Sequence, residues 1–305
     1  MRFLFVDRIL QLSPGEMVRG VKHITQDDTY LCPSAEGPLC FMPSLIGETL
    51  GQLAAWNAMS FNDFTLRPVA GVVASARLHR PAYVGETLLL ESFIERLDDD
   101  VVQYHSVARV GDEVIFNIEG ALGPMLPMAD FIAQDEVRRQ FNEVNRPGEW
   151  PPQSFVEGAV TEKPDSTRIT GLPRCVAPMS FDHILTSEPG VSLSAIKSIT
   201  RAAPYFPDHF PNKPVLPLTI LLECKLNLAQ EFVRRASFSN AYVVSEFRKI
   251  KMSGFVYPGD VLICYVKVKE QDEQQLVLSY RSEVAGKRVC VLDVVMKAKG
   301  TKHEK

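Results

Sequence analysis

The residues from His209 to Glu223, HFPNKPVLPLTILLE, combine two groups that can do acid–base chemistry. One imidazole precedes a proline-rich turn, and one carboxyl group lies inside the apolar segment that follows. Pro214 and Pro217 exclude a helix across the turn, so the helix is predicted to begin near Pro217. A histidine base and a carboxylic acid that meet in one dry pocket are the groups needed to eliminate water next to a thioester.

The sequence contains this arrangement twice, and one copy lacks the histidine. The segment FLFVDRILQLSPGEMVRGVKHIT near the start reappears as PMSFDHILTSEPGVSLSAIKSIT. Carried forward at the same offset, Glu48 corresponds to Glu223 and Ser34 to His209 (223 − 48 and 209 − 34 are both 175). One copy therefore has both groups, and the other has the glutamate alone.

Composition and length place the chain among ordinary globular proteins. Its 305 residues predict about two domains. Apolar residues make up 46% and charged residues 23%, and the net charge of −4 gives no reason to expect nucleic acid. Asp7 and Arg8 interrupt the first apolar run, so a signal peptide is not expected. No window reaches the roughly 18 apolar residues of a membrane span, so no membrane insertion is expected.

The six cysteines are scattered and include no CxxC pair. Together with the absence of a secretion signal, they predict reduced thiols in a cytoplasmic protein, with neither a disulfide framework nor a zinc site. The elimination chemistry itself needs no metal and no organic cofactor.

Each copy predicts the same order of elements. One copy begins with a strand pair, Phe3–Leu12 and Met17–Ile24, that turns at Pro14-Gly15. The other begins with Phe181–Ser187 and Val191–Ile199, which turn at Pro189-Gly190. A helix follows at about Ser44–Ser60 and at about Leu218–Ala236. The remaining predicted strands, in chain order, are Val72–Leu78, Leu88–Leu97, Val101–Val110 and Val114–Leu122, then Tyr242–Ile250, Val261–Lys269, Leu276–Glu283 and Arg288–Met296. Valine-rich, alternating runs joined by short turns favour antiparallel pairing.

The two helices decide the predicted architecture. Both are apolar on most of their circumference, and such a helix is buried on all sides. A sheet of five or six strands must therefore curl around each helix. This α+β arrangement is the hotdog fold, and the repeat predicts a double hotdog. We expect an N-terminal unit at 1–127, a charged helix from Met128 to Val144 and a proline-rich linker within 128–170, and a C-terminal unit at 171–305.

The motifs resemble the (3R)-hydroxyacyl-acyl-carrier-protein dehydratases of fatty-acid synthesis. The second half carries HFPNKPVLP followed by ILLE, and the first half carries FMP followed by ETLGQ. In that family two hotdog subunits share each site, one giving the histidine and the other the carboxylate. The resemblance therefore implies one working site, with His209 as base and Glu48 as acid. The second carboxyl group, Glu223, would face Ser34 or Ala35, with no imidazole.

The resemblance also implies which residues contact the substrate. The amide of Leu218 is expected to bind the thioester oxygen, and Pro217, Phe210 and Gln52 are expected to border the acyl group. Two departures concern this region. Leu218 replaces a glycine, and one residue is missing between Pro43 and Glu48, which would rotate Glu48 by about 100° if the helix began one residue late.

The resemblance implies a substrate carried on acyl carrier protein, in fatty-acid or polyketide-type synthesis. It leaves open whether the chain forms a homo-oligomer. Two alternatives remain at this point. One is a hotdog acyl thioesterase, against which the His-Phe-Pro turn argues. The other is an acyl-binding or scaffolding subunit whose sites have decayed, which the missing first-copy histidine and Leu218 favour.

Overall fold

The computed structural model describes residues 3–34, 38–152, 179–236, 238 and 242–298. Within these ranges the chain forms three α-helices and sixteen β-strands. The helices are α1 (Pro43–Phe61), α2 (Gln134–Val144) and α3 (Leu218–Ala236). The strands are β1 (Arg8–Ser13), β2 (Met17–His23), β3 (Leu31–Pro33), β4 (Leu39–Phe41), β5 (Leu66–Pro68), β6 (Val72–Leu78), β7 (Ala82–Tyr83), β8 (Thr87–Leu97), β9 (Val101–Val110), β10 (Glu113–Pro127), β11 (His183–Glu188), β12 (Ser192–Ser198), β13 (Tyr242–Met252), β14 (Val261–Gln271), β15 (Gln275–Val284) and β16 (Lys287–Ala298).

One antiparallel sheet runs through both halves of the described chain. Its strand order is β1-β2-β8-β9-β10-β6-β13-β16-β15-β14-β12-β11, and β5 pairs with the end of β10. A second, small sheet has the order β3-β4-β7. The two halves join where β6 pairs with β13, with Ala76 opposite Phe247. The same order of strands therefore occurs on each side of this seam.

The helices α1 and α3 form the centres of the two units. Each has 19 residues, and most of its circumference is buried. Leu45, Leu50 and Leu53 of α1 and Leu221 of α3 have no exposed surface. Burial of each such side chain stabilises the fold by about 1.5–3 kcal/mol. The predicted α+β arrangement, an antiparallel sheet wrapped around a central helix in each unit, is confirmed.

A buried asparagine connects the first hairpin to α1. The Nδ2 atom of Asn57 donates to the carbonyl oxygens of Ser13 and Met17, at 2.9 Å and 2.8 Å. Its Oδ1 atom accepts from the amide of Gly15 at 2.7 Å. Gly15 has a φ of +79°, which suits glycine in a tight turn. The Pro14-Gly15 turn is thus anchored to the helix that it precedes.

Two predicted boundaries are wrong. The first strand begins at Arg8 rather than near Phe3, because the amides of Phe3 and Phe5 donate to the side chains of Asp208 and Gln52 and not to a neighbouring strand. The predicted helix from Met128 to Val144 is interrupted. A short 3-10 helix at Met128–Asp130 is separated from α2 by the buried residues Phe131 and Ile132.

The first residues of the predicted linker lie against β1. The amide of Arg146 donates to the carbonyl oxygen of Ile9 at 3.1 Å, and that of Gly148 donates to the carbonyl oxygen of Leu10 at 3.0 Å. Residues 153–178, which contain the rest of the predicted linker, lie outside the described residues. The unit boundaries at 127 and 171 therefore stay a prediction. Within the described chain, no helix combines the length and apolarity required to cross a membrane.

Candidate active site

A cavity of about 590 Å³ lies between the two units. The first unit contributes α1, β5, β6, β9 and β10 to its walls, and the second contributes the loop before α3, the start of α3 and part of β13. His209 and Glu48 both line this cavity. The structure thus brings together one group from each unit, as the asymmetric assignment requires.

The imidazole of His209 is held with one nitrogen facing the protein. Its Nδ1 atom lies 3.0 Å from the carbonyl oxygen of Val215. Because a carbonyl oxygen only accepts, Nδ1 carries the proton of the neutral ring and Nε2 keeps a lone pair. The ring stacks on Phe210 and makes an edge contact with Phe3, with centroid distances of 4.1 Å and 5.9 Å. Burial lowers the pKa of His209, and the nearby Glu48 charge opposes this shift. The ring is therefore neutral near pH 7.

Two side chains orient the carboxyl group of Glu48. The Nε2 atom of Gln52, one turn further along α1, donates to Oε1 at 3.0 Å. The hydroxyl of Thr219, in the first turn of α3, donates to Oε2 at 2.7 Å. Each unit thus supplies one donor, and the carboxyl group is fixed at the border between the units.

The N-terminal segment closes over the site. Gln52 also donates to the carbonyl oxygen of Phe3 at 3.1 Å and accepts from the amide of Phe5 at 2.9 Å. Asp208, adjacent to the histidine, accepts from the amide of Phe3 at 2.6 Å. Because Phe3 and Leu4 line the cavity, these bonds place apolar side chains of the first unit beside His209.

The second carboxyl group has a different environment. Glu223 is 6% exposed and is not among the residues that line the cavity. Its Oε2 atom accepts from the hydroxyl and the amide of Ser44, at 2.6 Å and 3.3 Å. Burial raises the pKa of Glu223. Ser34 stands at the position of the missing histidine, and Ala35 lies outside the described residues.

The two central helices begin at equivalent positions. Pro43 and Leu218 are each the first residue of their helix, and each precedes its glutamate by five residues. The helix start therefore does not rotate Glu48, and the residue missing relative to the family motif lies before the helix. Pro43 corresponds to Leu218 rather than to Pro217.

The remaining predicted contact residues divide into two groups. Phe210, Leu218 and Gln52 line the cavity, whereas Pro217 is not among its lining residues. The carbonyl oxygen of Pro217 accepts from the amide of Leu221 at 3.2 Å, so Pro217 begins the hydrogen bonding of α3. The first amides of a helix have no partner within it, so α3 presents free N–H groups near the cavity.

Several polar residues of the cavity, among them Thr219, Arg67 and Tyr104, were not predicted from the sequence. Thr219 donates a hydrogen bond to Glu48. Ser44 and Thr219 are 175 residues apart, like the two glutamates, and this offset was the available signal. Arg67 and Tyr104 also line the cavity, and they stand in no recognisable motif.

Among the described residues, no group of three or more His, Cys, Asp or Glu side chains could hold a metal ion. Cys32 and Cys40, which the sequence presents as scattered, face each other across β3 and β4 with their Sγ atoms 3.7 Å apart. Neither lines the cavity.

Comparison with known proteins identifies the family. Residues 178–294 match the model of the FabA-like domain, a range that includes His209 and Glu223 but not Glu48. A 3-hydroxyacyl-[acyl-carrier-protein] dehydratase FabZ from Shewanella woodyi is 30% identical over 128 residues, which cover 41% of this chain and 84% of that protein. The chain belongs to the FabZ dehydratase family. A FabZ from Pediococcus pentosaceus is also 30% identical, over 36% of this chain and 75% of that protein.

Solved structures with the same fold extend over both units. The dehydratase domain of the polyketide protein PpsC from Mycobacterium tuberculosis has a TM-score of 0.54 and 11% identity, and the match covers 97% of this chain and 98% of that one. The 12:0-ACP thioesterase from Umbellularia californica has a TM-score of 0.53 and 14% identity, covering 93% and 94%. At these identities the likeness shows the fold alone. This FabZ-family chain therefore has a double-hotdog fold.

Proposed function

We propose that this protein dehydrates a (3R)-hydroxyacyl thioester on acyl carrier protein to the trans-2-enoyl thioester. The observation that carries the proposal is that His209 and Glu48, from different units, line the same cavity. The names of the FabZ relatives support both the reaction and the carrier. The hotdog units are proposed to be 1–127 and 171–305.

In the proposed reaction His209 acts as the base and Glu48 as the acid. The Nε2 atom of His209 removes a proton from C2 of the acyl group, and the electron pair of that bond forms the C2=C3 double bond. The C3–O bond breaks as Glu48 donates its proton to the hydroxyl, and water leaves. Acid–base groups in such positions contribute about 10²–10⁴-fold each to the rate. The imidazolium and the carboxylate then return to their starting states by proton exchange.

The start of α3 is proposed to stabilise negative charge on the thioester oxygen. Its free N–H groups and the positive end of the helix dipole favour an enolate at this point. The position of Leu218 as the first helical residue supports this role for its amide. The Leu218 side chain borders the cavity and limits the space beside the thioester.

The chain is proposed to have one working site. Glu223 is bonded to Ser44 and does not line the cavity, and serine occupies the corresponding histidine position. This arrangement supports a fused pair in which only one of two equivalent sites retains both groups. A further copy of the chain is not needed to complete that site.

Incubation with 3-hydroxyoctanoyl acyl carrier protein, followed by mass spectrometry of the intact carrier, tests the function. We expect the loss of one water from the acyl group, reversed when the enoyl carrier is supplied. Release of the free carrier thiol would instead indicate a thioesterase, and an unchanged carrier would indicate an acyl-binding subunit. His105→Ala is a suitable control because His105 is exposed and bonded to Glu95, and it should react at the wild-type rate.

A further inference from the structure

Two hydrogen-bond donors in the cavity have no acceptor among the described residues. Arg67 on β5 and Tyr104 on β9 both line the cavity that contains Glu48. The guanidinium of Arg67 makes no hydrogen bond or ion pair to another described residue, and its Nε atom is enclosed and unsatisfied. The Tyr104 hydroxyl likewise has no hydrogen bond to a described residue. Both residues are half-buried, and an enclosed donor such as the Nε atom of Arg67 costs free energy when it has no acceptor.

Both groups keep their protons near neutral pH. Burial lowers the pKa of Arg67 to about 10, and the Glu48 charge opposes this shift, so the guanidinium stays positively charged. Burial and then the Glu48 charge raise the pKa of Tyr104 to about 12, so its hydroxyl remains able to donate. Glu48 itself already accepts from Gln52 and Thr219 and forms no ion pair with Arg67. An acceptor for both donors can therefore come from a bound molecule in place of solvent water.

The geometry fixes where such an acceptor would lie. The guanidinium carbon of Arg67 is 4.0 Å from the ring centroid of Phe210, which in turn stacks on His209. Stacking covers one flat face of the guanidinium and leaves the N–H groups at its edge free to donate. The Tyr104 hydroxyl lies 3.7 Å from the place of a Cβ atom on Gly51. Gly51 is one turn beyond Glu48, so the Tyr104 hydroxyl lies close to the proposed acid. The charge of Glu48 acts on both donors.

A plain alkyl chain would offer these donors nothing. It would displace water from the guanidinium without replacing the lost hydrogen bonds, whereas an oxygen acceptor would compensate for that loss. A carboxylate suits a guanidinium best, because its two oxygens match two parallel N–H groups.

We propose that Arg67 and Tyr104 form an oxygen-binding subsite, so that the preferred substrate thioesters present an oxygen acceptor, best a carboxylate, to this wall of the cavity. The proposal rests on the proposed function. The acceptor belongs either to an oxygen-bearing substituent of the acyl chain or to the pantoyl part of the pantetheine arm, whose hydroxyl and amide groups carry oxygen.

Binding of unreactive thioethers, measured by calorimetry, tests the subsite without requiring turnover. The probes are octyl pantetheine, its ω-carboxylate counterpart of equal length, and the octyl thioether of N-acetylcysteamine. For an acceptor on the acyl chain, Arg67→Met should weaken the carboxylate probe about ten- to hundredfold, as expected for loss of a charge-assisted hydrogen bond, and leave the octyl probes within about twofold. Tyr104→Phe should weaken the carboxylate probe by about fivefold. For an acceptor in the pantoyl part of the pantetheine arm, which the N-acetylcysteamine probe lacks, Arg67→Met should weaken both pantetheine probes and spare that probe.

The proposal is overturned if Arg67→Met leaves all three affinities unchanged or lowers all three equally, or if the wild-type protein binds none of the probes. Arg67→Lys, which keeps the charge, and thermal melting of each variant guard against a folding defect. Arg96→Met is the matched control, because Arg96 is exposed and pairs with Asp98. Failure to release water from any 3-hydroxyacyl thioester would remove the proposed function but would not alter these affinities.

Discussion

The proposed base and acid are positioned by ordinary hydrogen bonds rather than by a charged partner. The Nδ1 atom of His209 is committed to the carbonyl oxygen of Val215, which leaves Nε2 as the free base. The carboxyl group of Glu48 is held by Gln52 and Thr219. Neither group pairs directly with the other in a described hydrogen bond or ion pair, which leaves room between them for the substrate.

Substitution of the three titratable groups should separate the working site from its silent counterpart. His209→Ala and Glu48→Gln should each lower the rate of enoyl formation by about 10²–10⁴-fold, because each removes one proton-transfer group. Glu223→Gln should stay within a few-fold of wild type, since Glu223 does not line the cavity. Product formation followed by mass spectrometry measures these rates. Equal losses at both glutamates would contradict the asymmetric assignment.

The lowered pKa of His209 predicts how dehydration depends on pH. Burial lowers its pKa below the ordinary value of 6.5. A base works in its neutral form, so a lowered pKa extends activity to lower pH. We expect kcat/KM to be level at pH 7 and to fall only when the pH drops below 6.5. If kcat/KM already decreases above pH 7 as the pH is lowered, in wild type or in the His105→Ala control, His209 is not the base.

At the scale of elements, the first turns of α1 and α3 each donate a hydrogen bond to the glutamate of the other helix. Ser44, at the start of α1, donates to Glu223 of α3, and Thr219, at the start of α3, donates to Glu48 of α1. These bonds are equivalent under the repeat, but of the two glutamates only Glu48 lines the cavity. The pair therefore offers two matched positions with different expected effects.

Removal of each hydroxyl should affect a different property. Thr219→Val should slow dehydration about five- to fiftyfold, because Glu48 loses the donor that orients it. Ser44→Ala should leave the rate within about twofold and lower the free energy of unfolding by about 1–2 kcal/mol, because buried Glu223 loses its partner. Steady-state rates and urea unfolding distinguish the two. The reverse pattern would place the working acid at Glu223.

The sequence predicted the elements better than the contacts between them. The helix at Leu218–Ala236 has the predicted bounds, and that at Pro43–Phe61 extends one residue beyond the prediction at each end. Local apolar patterning and the repeat were sufficient for this. The bonds from Thr219 to Glu48 and from Asp208 to Phe3 join residues 171 and 205 positions apart. Such pairs depend on how the two units meet, which no local pattern records.

At the scale of the whole molecule, Glu246 ties the two units together at the seam. It is 6% exposed, and it accepts from Ser75 at 2.6 Å and pairs with Arg77 at 3.1 Å across the β6–β13 junction. Arg248, on its own strand, pairs with it at 2.8 Å. A single carboxylate thus satisfies donors from both units.

Loss of this carboxylate should weaken the whole molecule. Glu246→Ala should lower the free energy of unfolding by about 1–3 kcal/mol, because Ser75 and Arg77 lose an acceptor at a buried junction. A double-mutant cycle with Ser75→Ala should show non-additivity, since the two side chains share one bond. Urea unfolding measures both effects. Glu283→Ala, which breaks a pair with Arg281 inside the second unit, should cost less than about 1 kcal/mol. If Glu246→Ala and Glu283→Ala lower the free energy of unfolding by the same amount, the junction between the units is no more sensitive than a pair inside one unit.

Because the first turns of α1 and α3 donate hydrogen bonds to each other's glutamates, each half of this chain supplies a contact to the other. Under the proposed mechanism, the half that lacks the reacting histidine remains indispensable, because it contributes Glu48 and much of the cavity wall. The proposed mechanism thus assigns different roles to the two halves: the second contributes the base, and the first contributes the acid.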